Sequence, residues 1–95
     1  MPDIRIEKRH NFDLETARTQ AKKWLEEAKA TFGVDATYEQ GVDTDTVAIK
    51  KSGVDGRAFL DADKVVFEAD LGFLAKPLKV VISSGIQEGL DRYFA

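Results

Sequence analysis

The chain of 95 residues is long enough for one domain with a modest core and too short for two independent cores or a roomy internal cavity. Its 14 basic and 17 acidic residues give a formal charge of −3, which argues against nucleic-acid binding and against a polybasic grip on an anionic membrane. The absence of cysteine excludes disulfides, thiolate nucleophiles and cysteine-based metal sites. Neither a signal-peptide core nor an apolar run of bilayer length is present, so we expect a cytoplasmic protein. From its length we expect a single domain over residues 1–95.

The first predicted element is a short, highly charged strand over residues 4–10. Ile4 and Ile6 alternate with charged residues, which is the pattern of a strand with one apolar face, and the high charge suits a sheet edge. His10 stands at the end of this strand and is the only histidine. Since no partner motif accompanies it, we expect a solvated side chain rather than a catalytic or metal-binding one.

A long amphipathic helix follows. From Leu14 to Phe32 the apolar residues recur at helical spacing and form one stripe. Asp13 is the expected N-cap, and Gly33 stands where a helix favours a left-handed residue at its exit. Trp24 and Phe32 could stack on a ligand, but both lie in the stripe, so we predict that they belong to the core.

The next part of the chain changes to a two-residue period, which predicts strands joined by turns. Four strands are predicted at residues 36–40, 46–52, 57–61 and 65–71. The sequence Gly-Val-Asp-Gly at residues 53–56 predicts a tight turn, because glycine accepts positive φ and Asp-Gly favours a reversal. A helix followed by such a meander indicates an antiparallel sheet with one face in water.

A second amphipathic helix is predicted from Pro77, which fits the first helical position because its missing N–H leaves no bond unmade there. Its apolar stripe is expected to lie mostly in the core and comprises Leu78, Val81, Ile82, Ile86, Leu90, Tyr93 and Phe94. Gly85 and Gly89 fall inside the stripe, and each lowers helix stability by about 1 kcal/mol relative to alanine. We therefore expect a close backbone approach there, either to the protein's own sheet or to a second subunit.

These elements predict an α+β fold of order β-α-β-β-β-β-α. We expect an antiparallel sheet of about five strands with both helices packed on one face.

Catalytic chemistry finds little support in this sequence. The acidic loop with Asp43 and Asp45 superficially resembles a calcium loop, but it lacks the later glycine and the terminal glutamate, so a solvated hairpin is favoured. Ser83 and Ser84 have no histidine base nearby in the sequence, and no nucleotide-binding glycine signature or nucleophile elbow is present. We predict no catalytic residue, no metal site and no cofactor.

Several segments together resemble a known family. The opening "IRIEKRH", the tryptophan-bearing helix, "SGVDGRAFLDADKVVFEADLGFLAKPLK" and the closing helix are similar to the polyhydroxyalkanoic acid system family of small bacterial proteins. The most specific pieces are "SGVDG" at residues 52–56 and "LGFL" at residues 71–74. The resemblance implies a role linked to intracellular polyhydroxyalkanoate, including the granule surface. It brings no active site with it.

Two functions from different classes remain open at this point. The first is a non-enzymatic protein that binds the polyhydroxyalkanoate granule or a granule-associated protein through an apolar patch, for which the candidates are Phe73, Leu74 and Leu78 with Lys76 and Lys79 at the rim. The competing interpretation is that these residues only close the core. The second function is a small apolar-ligand carrier of the helix-grip type, which is an analogy of fold. A homodimer fits either function.

Overall fold

The computed structural model describes residues 1–94, which fold into five strands and two helices in the predicted order. The elements are β1 (Ile4–Arg9), α1 (Leu14–Phe32), β2 (Asp35–Glu39), β3 (Asp45–Lys51), β4 (Val54–Leu60), β5 (Lys64–Leu71) and α2 (Lys79–Tyr93), the last preceded by a 3-10 turn at Lys76–Leu78. All neighbouring strands are antiparallel, in the order β1-β5-β4-β3-β2. The predicted α+β class is confirmed, and β1 is an edge strand as expected.

Local signals fix both ends of α1. The Asp13 side chain accepts a hydrogen bond from the Thr16 N–H at 2.7 Å and so satisfies one of the free donors of the first turn. At the other end Gly33 has φ 65° and ψ 31°, and its N–H donates to the Lys29 carbonyl at 3.0 Å. Glycine is favoured in this left-handed conformation because it has no Cβ. Both predicted caps are confirmed.

The predicted turn at residues 53–56 is wrong in its position. The reversal between β3 and β4 is made by Ser52 and Gly53, with Gly53 at φ 83°, and β4 begins directly afterwards. Gly56 lies inside the strand, where an added Cβ would stand 3.3 Å from the Phe67 ring. Asp-Gly therefore serves close packing in the sheet here, which a turn propensity does not distinguish from a reversal.

The core lies between one face of the sheet and the two helices. Trp24 packs edge-on against Phe67, with ring centroids 6.4 Å apart at an interplanar angle of 74°. Phe67, Leu90 and Phe94 are almost completely buried, and Trp24 is 5% exposed, so its predicted core position is confirmed. The prediction is wrong for Phe32, which is 53% exposed. Residues 30–33 are all exposed, because the last turn of α1 stands clear of the core.

The expectation that the α2 stripe is mostly core holds only for its second half. Leu90 is completely buried and Ile86 is half-buried, whereas Val81 is 69% and Leu78 is 52% exposed. A helical period shows which residues share a face, but not how far along the helix the neighbouring elements cover that face. The first turns of α2 are left uncovered.

The two glycines of α2 differ in their surroundings, and this gives a matched pair of substitutions. An added Cβ at Gly89 would stand 2.6 Å from Trp24 Nε1, while one at Gly85 would have no atom within 4 Å. The close approach predicted for both glycines is therefore found at Gly89 alone. Gly85→Ala should stabilise the fold by about 1 kcal/mol through helix propensity. Gly89→Ala should destabilise it, because overpacking against a buried indole costs roughly 1–3 kcal/mol, which outweighs the same gain in propensity.

Urea unfolding of both variants would test this contrast. Stabilisation by Gly89→Ala equal to that of Gly85→Ala would show that Trp24 can move aside. The parent protein, with both glycines, is the common reference for the two measurements.

Candidate functional site

The five residues proposed from the sequence as a contact surface are all exposed. Phe73 is 86% exposed, Leu74 is 85% exposed and Leu78 is 52% exposed. Lys76 and Lys79 are exposed as well. The competing interpretation, that these side chains close the core between the last strand and the last helix, is therefore wrong for Phe73 and Leu74.

The backbone path after β5 explains this exposure. We call residues 72–75 the crossing, since they lead from β5 into the 3-10 turn. At its start the Gly72 N–H donates to the Gly53 carbonyl at 2.7 Å, which fixes the crossing beside the β3–β4 turn. Ala75 is the buried residue of the crossing and packs beside Gly53. The inward position is thus taken by the small alanine, and the larger Phe73 and Leu74 point into solvent.

Hydrogen bonds hold the crossing and the 3-10 turn in one conformation. The N–H groups of Ala75 and Lys76 both donate to the Gly72 carbonyl, at 3.0 and 3.1 Å. The Leu78 N–H donates to the Ala75 carbonyl at 2.9 Å, and Pro77 has no N–H to satisfy. Many backbone polar groups of the turn are therefore hydrogen-bonded within the turn itself, and its side chains face the solvent.

Asp3 ties the start of the chain to this region. Its carboxylate accepts the Leu71 N–H at 2.7 Å and the Lys76 ammonium at 3.2 Å. The hydrogen bond from the Leu71 amide and then the bond and charge of Lys76 hold the pKa of Asp3 below its ordinary value. Asp3 therefore remains an ionised anchor beneath the crossing, with its oxygens already occupied.

Sequence reasoning missed two residues of this surface. Val80 is 77% exposed and Val81 is 69% exposed, although Val81 was predicted to be in the core. Val80 lies off the predicted stripe, and an apolar residue off the stripe of an amphipathic helix is a usable signal of a second apolar surface. We define the apolar segment as Phe73, Leu74, Leu78, Val80 and Val81.

The apolar segment also lies in a part of the chain without carboxylates. No aspartate or glutamate occurs between Asp70 and Glu88, although the whole chain has 17 of them. The charged residues in this stretch are Lys76 and Lys79 alone. This stretch of the chain is therefore apolar and basic in a protein whose net charge is negative.

Other exposed apolar side chains help to locate the segment on the molecule. Phe32, at the end of α1, lies at the same end of the sheet as the crossing, because α1 leads directly into β2 there. Val42 is 89% exposed but lies in the loop between β2 and β3 at the opposite end. Val42 is thus a control position of equal exposure outside the segment.

His10 is not solvated as predicted but is buried, with 7% exposure. Its Nδ1 accepts the Phe12 N–H at 3.2 Å, and its Nε2 lies 2.9 Å from the Asp61 carbonyl oxygen. Both ring nitrogens are thus engaged by backbone groups. The ring also packs between Phe12 and Phe94, so His10 serves the interior where β1 ends.

Asp45 is likewise buried, and the solvated hairpin predicted for it is wrong. Its carboxylate accepts Arg18 Nε at 2.8 Å and Nη2 at 3.1 Å, the Gly41 N–H at 3.1 Å and the Tyr38 hydroxyl. Burial raises the pKa of Asp45, but the bonds from Arg18, Tyr38 and Gly41 outweigh it and place the pKa below the ordinary value. The pKa of Tyr38 is raised, mainly because its hydroxyl is partly buried and to a lesser degree because it donates to Asp45. This cluster ties α1 to β2 and β3, and both oxygens of the Asp45 carboxylate are occupied by internal donors.

Two depressions on the surface of residues 1–94 are open to solvent and are not interior ligand sites. A groove of about 470 Å³ lies between the edge strand β1 and α2, open to solvent and lined on the helix side by polar residues such as Ser83, Ser84 and Gln87. A helix-grip carrier holds an apolar ligand between sheet and helix, and that space is occupied here by Trp24 and Phe67. The geometry gives the carrier no support.

Metal-binding clusters and membrane-spanning helices are both absent from residues 1–94. No group of three or more histidine, aspartate or glutamate side chains in this part of the chain is placed to hold a metal ion. No helix within the same residues has the length and apolar character needed to cross a membrane.

Comparison with known proteins gives one match. The family model described as "putative polyhydroxyalkanoic acid system protein" matches residues 4–94, from the first residue of β1 to the residue after α2. The chain belongs to this family. No curated protein and no solved structure matches it. The resemblance seen in the sequence is thereby confirmed, and it covers the complete sheet, both helices and the crossing.

Proposed function

We propose that this protein is a non-enzymatic component of the polyhydroxyalkanoate storage system that binds the granule surface, or a protein on it, through the apolar segment. The observation that carries the proposal is the exposure of five large apolar side chains within residues 73–81. Membership of the polyhydroxyalkanoic acid system family gives the cellular setting. The expected location is the cytoplasm, at the granule.

The energetics of exposure support a contact surface. Single exposed apolar residues are ordinary on a protein surface. Phe73 and Leu74, however, are adjacent and each more than four-fifths exposed. Burying a large apolar side chain contributes roughly 1.5–3 kcal/mol. In a 95-residue protein with a modest core, leaving these two side chains in water forgoes a substantial part of that free energy unless a partner covers them.

The surroundings of the segment resemble the general plan of an interface. Interfaces place apolar residues at the centre and polar residues at the rim. Lys76 and Lys79 supply such a rim, and the bonds of Asp3 keep Lys76 and the crossing in place. The buried titratable groups His10 and Asp45 are occupied by interior hydrogen bonds, which supports a non-enzymatic role.

A homodimer remains a prediction beside this function. Nothing within 4 Å would meet a Cβ at Gly85, so that face of α2 has room for a second helix. Light scattering of the purified protein would decide whether a dimer forms.

Localisation in cells tests the proposal directly. We expect a fluorescently tagged protein to collect at granules in cells that make polyester and to be diffuse in matched cells that do not. A pull-down from the first cells should recover polymer or granule proteins. A diffuse signal in both kinds of cell, with a folded fusion protein, would contradict the proposed function.

A further inference from the structure

We infer that the apolar segment contacts the polyester itself rather than a protein coat, and that the first turns of α2 take part through Val80 and Val81. This inference rests on the proposed function and specifies its partner. The hydrogen-bonding groups that the segment carries and the shape in which it is presented both favour the polymer.

The polar groups around the segment are complementary to an ester surface. An aliphatic polyester exposes carbonyl acceptors and hydrocarbon, and its repeating unit has no hydrogen-bond donor. A carboxylate, which only accepts, would face such a surface unpaired, whereas an ammonium group only donates. Between Asp70 and Glu88 the chain has no carboxylate and has Lys76 and Lys79. A protein partner offers donors as well as acceptors and gives no reason to exclude carboxylates.

Three acidic side chains that flank this stretch are turned to other partners or lie away from it. Asp3 lies beside the crossing, but its oxygens are occupied by the Leu71 N–H and the Lys76 ammonium. Asp70 is on the opposite face of the sheet from the helices, where it pairs with Arg57. Glu88 is nine positions beyond Lys79, which is about 13 Å along a helix.

The shape of the segment favours a broad apolar phase. Neighbouring residues on a helix point about 100° apart, so the high exposure of both Val80 and Val81 means that the helix is uncovered on two sides at this point. A projecting apolar helix end can sink into a deformable polymer surface. The 3-10 turn before the helix would enter that contact without unpaired N–H groups at Ala75, Lys76 and Leu78. Each of these N–H groups already donates to a carbonyl of the crossing.

A phospholipid surface also offers acceptors, but it is the less favoured occupant. Attraction to anionic lipid grows with the number of basic residues near the surface, and this segment has two in a chain of net charge −3. Ester carbonyls are neutral. Binding to polyester should therefore change little with salt, whereas binding to anionic lipid should fall as salt screens the charges.

The test uses the purified full chain and three surfaces of similar size. These are protein-free polyhydroxyalkanoate particles, hydrocarbon beads without ester groups, and vesicles containing phosphatidylglycerol. We expect co-sedimentation with the polyester particles that exceeds the other two and persists from 50 to about 300 mM salt, where a charge-driven contact would be screened.

Matched variants assign the contact to the segment. Val80→Ser should weaken polyester binding about tenfold through lost apolar contact, whereas Val42→Ser, at a still more exposed position at the other end of the sheet, should not. Lys79→Glu places an acceptor-only group in the contact and should also weaken binding about tenfold. Lys23→Glu makes the same charge change on the exposed side of α1 and should leave binding unchanged.

The outcomes separate this inference from the proposed function. Binding to native granules without binding to protein-free polyester would overturn the inference and leave the proposed function standing. Equal binding to hydrocarbon beads, or tighter binding to the vesicles, would overturn the choice of ester. Failure to bind native granules would contradict the proposed function itself.

Discussion

Replacing Asp45 with alanine is expected to destabilise the protein by about 3–5 kcal/mol, because it leaves the Arg18 guanidinium without its partner in the interior. Asp45 is completely buried, and Arg18 is 9% exposed. The Tyr38 hydroxyl and the Gly41 N–H would lose the same acceptor. Since the cluster joins α1 to β2 and β3, its loss should loosen the edge of the sheet at β2.

A graded series would separate the charge from the hydrogen bonds. Tyr38→Phe removes one bond and should cost about 1 kcal/mol, while Asp45→Asn keeps the shape, loses the charge and should fall between the two. Asp43→Ala, at an exposed position in the loop just before β3, should stay within about 0.5 kcal/mol of the parent. Urea unfolding measures all four variants. Equal stability of Asp45→Ala and Asp43→Ala would contradict the assignment.

The same group gives a pH dependence of known sign. The pKa of Asp45 in the folded protein lies below the ordinary value of 3.8, because the bonds from Arg18, Tyr38 and Gly41 outweigh the effect of burial. A lowered pKa means that the stabilisation is present above that value and is lost as the pH falls through the folded pKa. Asp45→Asn should therefore lose less stability than the parent between about pH 4 and pH 2. Acid sensitivity would persist in part, since the pKa values of Asp3, Asp13 and Asp91 are also lowered.

The second large effect concerns binding and not stability. The double variant Phe73→Ser with Leu74→Ser should bind native granules about 100-fold more weakly, because it removes two apolar contacts that together are worth roughly 3 kcal/mol. Both side chains are more than four-fifths exposed, so the unfolding free energy should change by less than about 1 kcal/mol. Co-sedimentation with native granules over a range of protein concentrations measures the affinity.

Two controls make this result specific. Val42→Ser removes an equally exposed apolar side chain outside the segment and should bind as the parent does. Phe32→Ser removes an exposed aromatic ring from the same end of the sheet and shows whether the contact extends to α1. Undiminished granule binding by a folded double variant would exclude the apolar segment as the contact surface. Granule binding that is lost in every variant alike would indicate a general loss of folding.

Elements and caps of this protein could be predicted from short stretches of sequence. The bounds of α1, the cap at Asp13 and the left-handed exit at Gly33 depend on residues within one or two helical turns, and each agrees with the structure. The strands occur in the predicted order because a period of two specifies a face by itself, although β4 begins at Val54 and was predicted to begin at Arg57. The turn predicted at residues 53–56 was misplaced because turn propensity is also a local property. Asp-Gly has the same propensity whether it reverses the chain or packs under Phe67 inside a strand.

The candidate site was predicted in part. Phe73, Leu74, Leu78, Lys76 and Lys79 were identified from the interruption of an apolar run by Gly72 and Pro77. Their exposure could not be derived, because it depends on the bond between the Gly72 N–H and the Gly53 carbonyl and on the inward position of Ala75. Val81 was missed because a helical stripe does not show how far along the helix it is covered, and Val80 was missed because it lies off that stripe.

Sequence alone thus determined the class of the fold, the order of its elements and the family, because propensity, periodicity and motif are properties of neighbouring residues. Only the tertiary structure decided which side chains are covered. Arg18 meets Asp45 from 27 residues away, and Asp3 holds the Leu71 N–H from 68 residues away. Burial is settled by such distant pairings and by where each covering element ends. For that reason a solvated loop was expected where Asp45 is buried, and a covered helix was expected where Val81 is exposed.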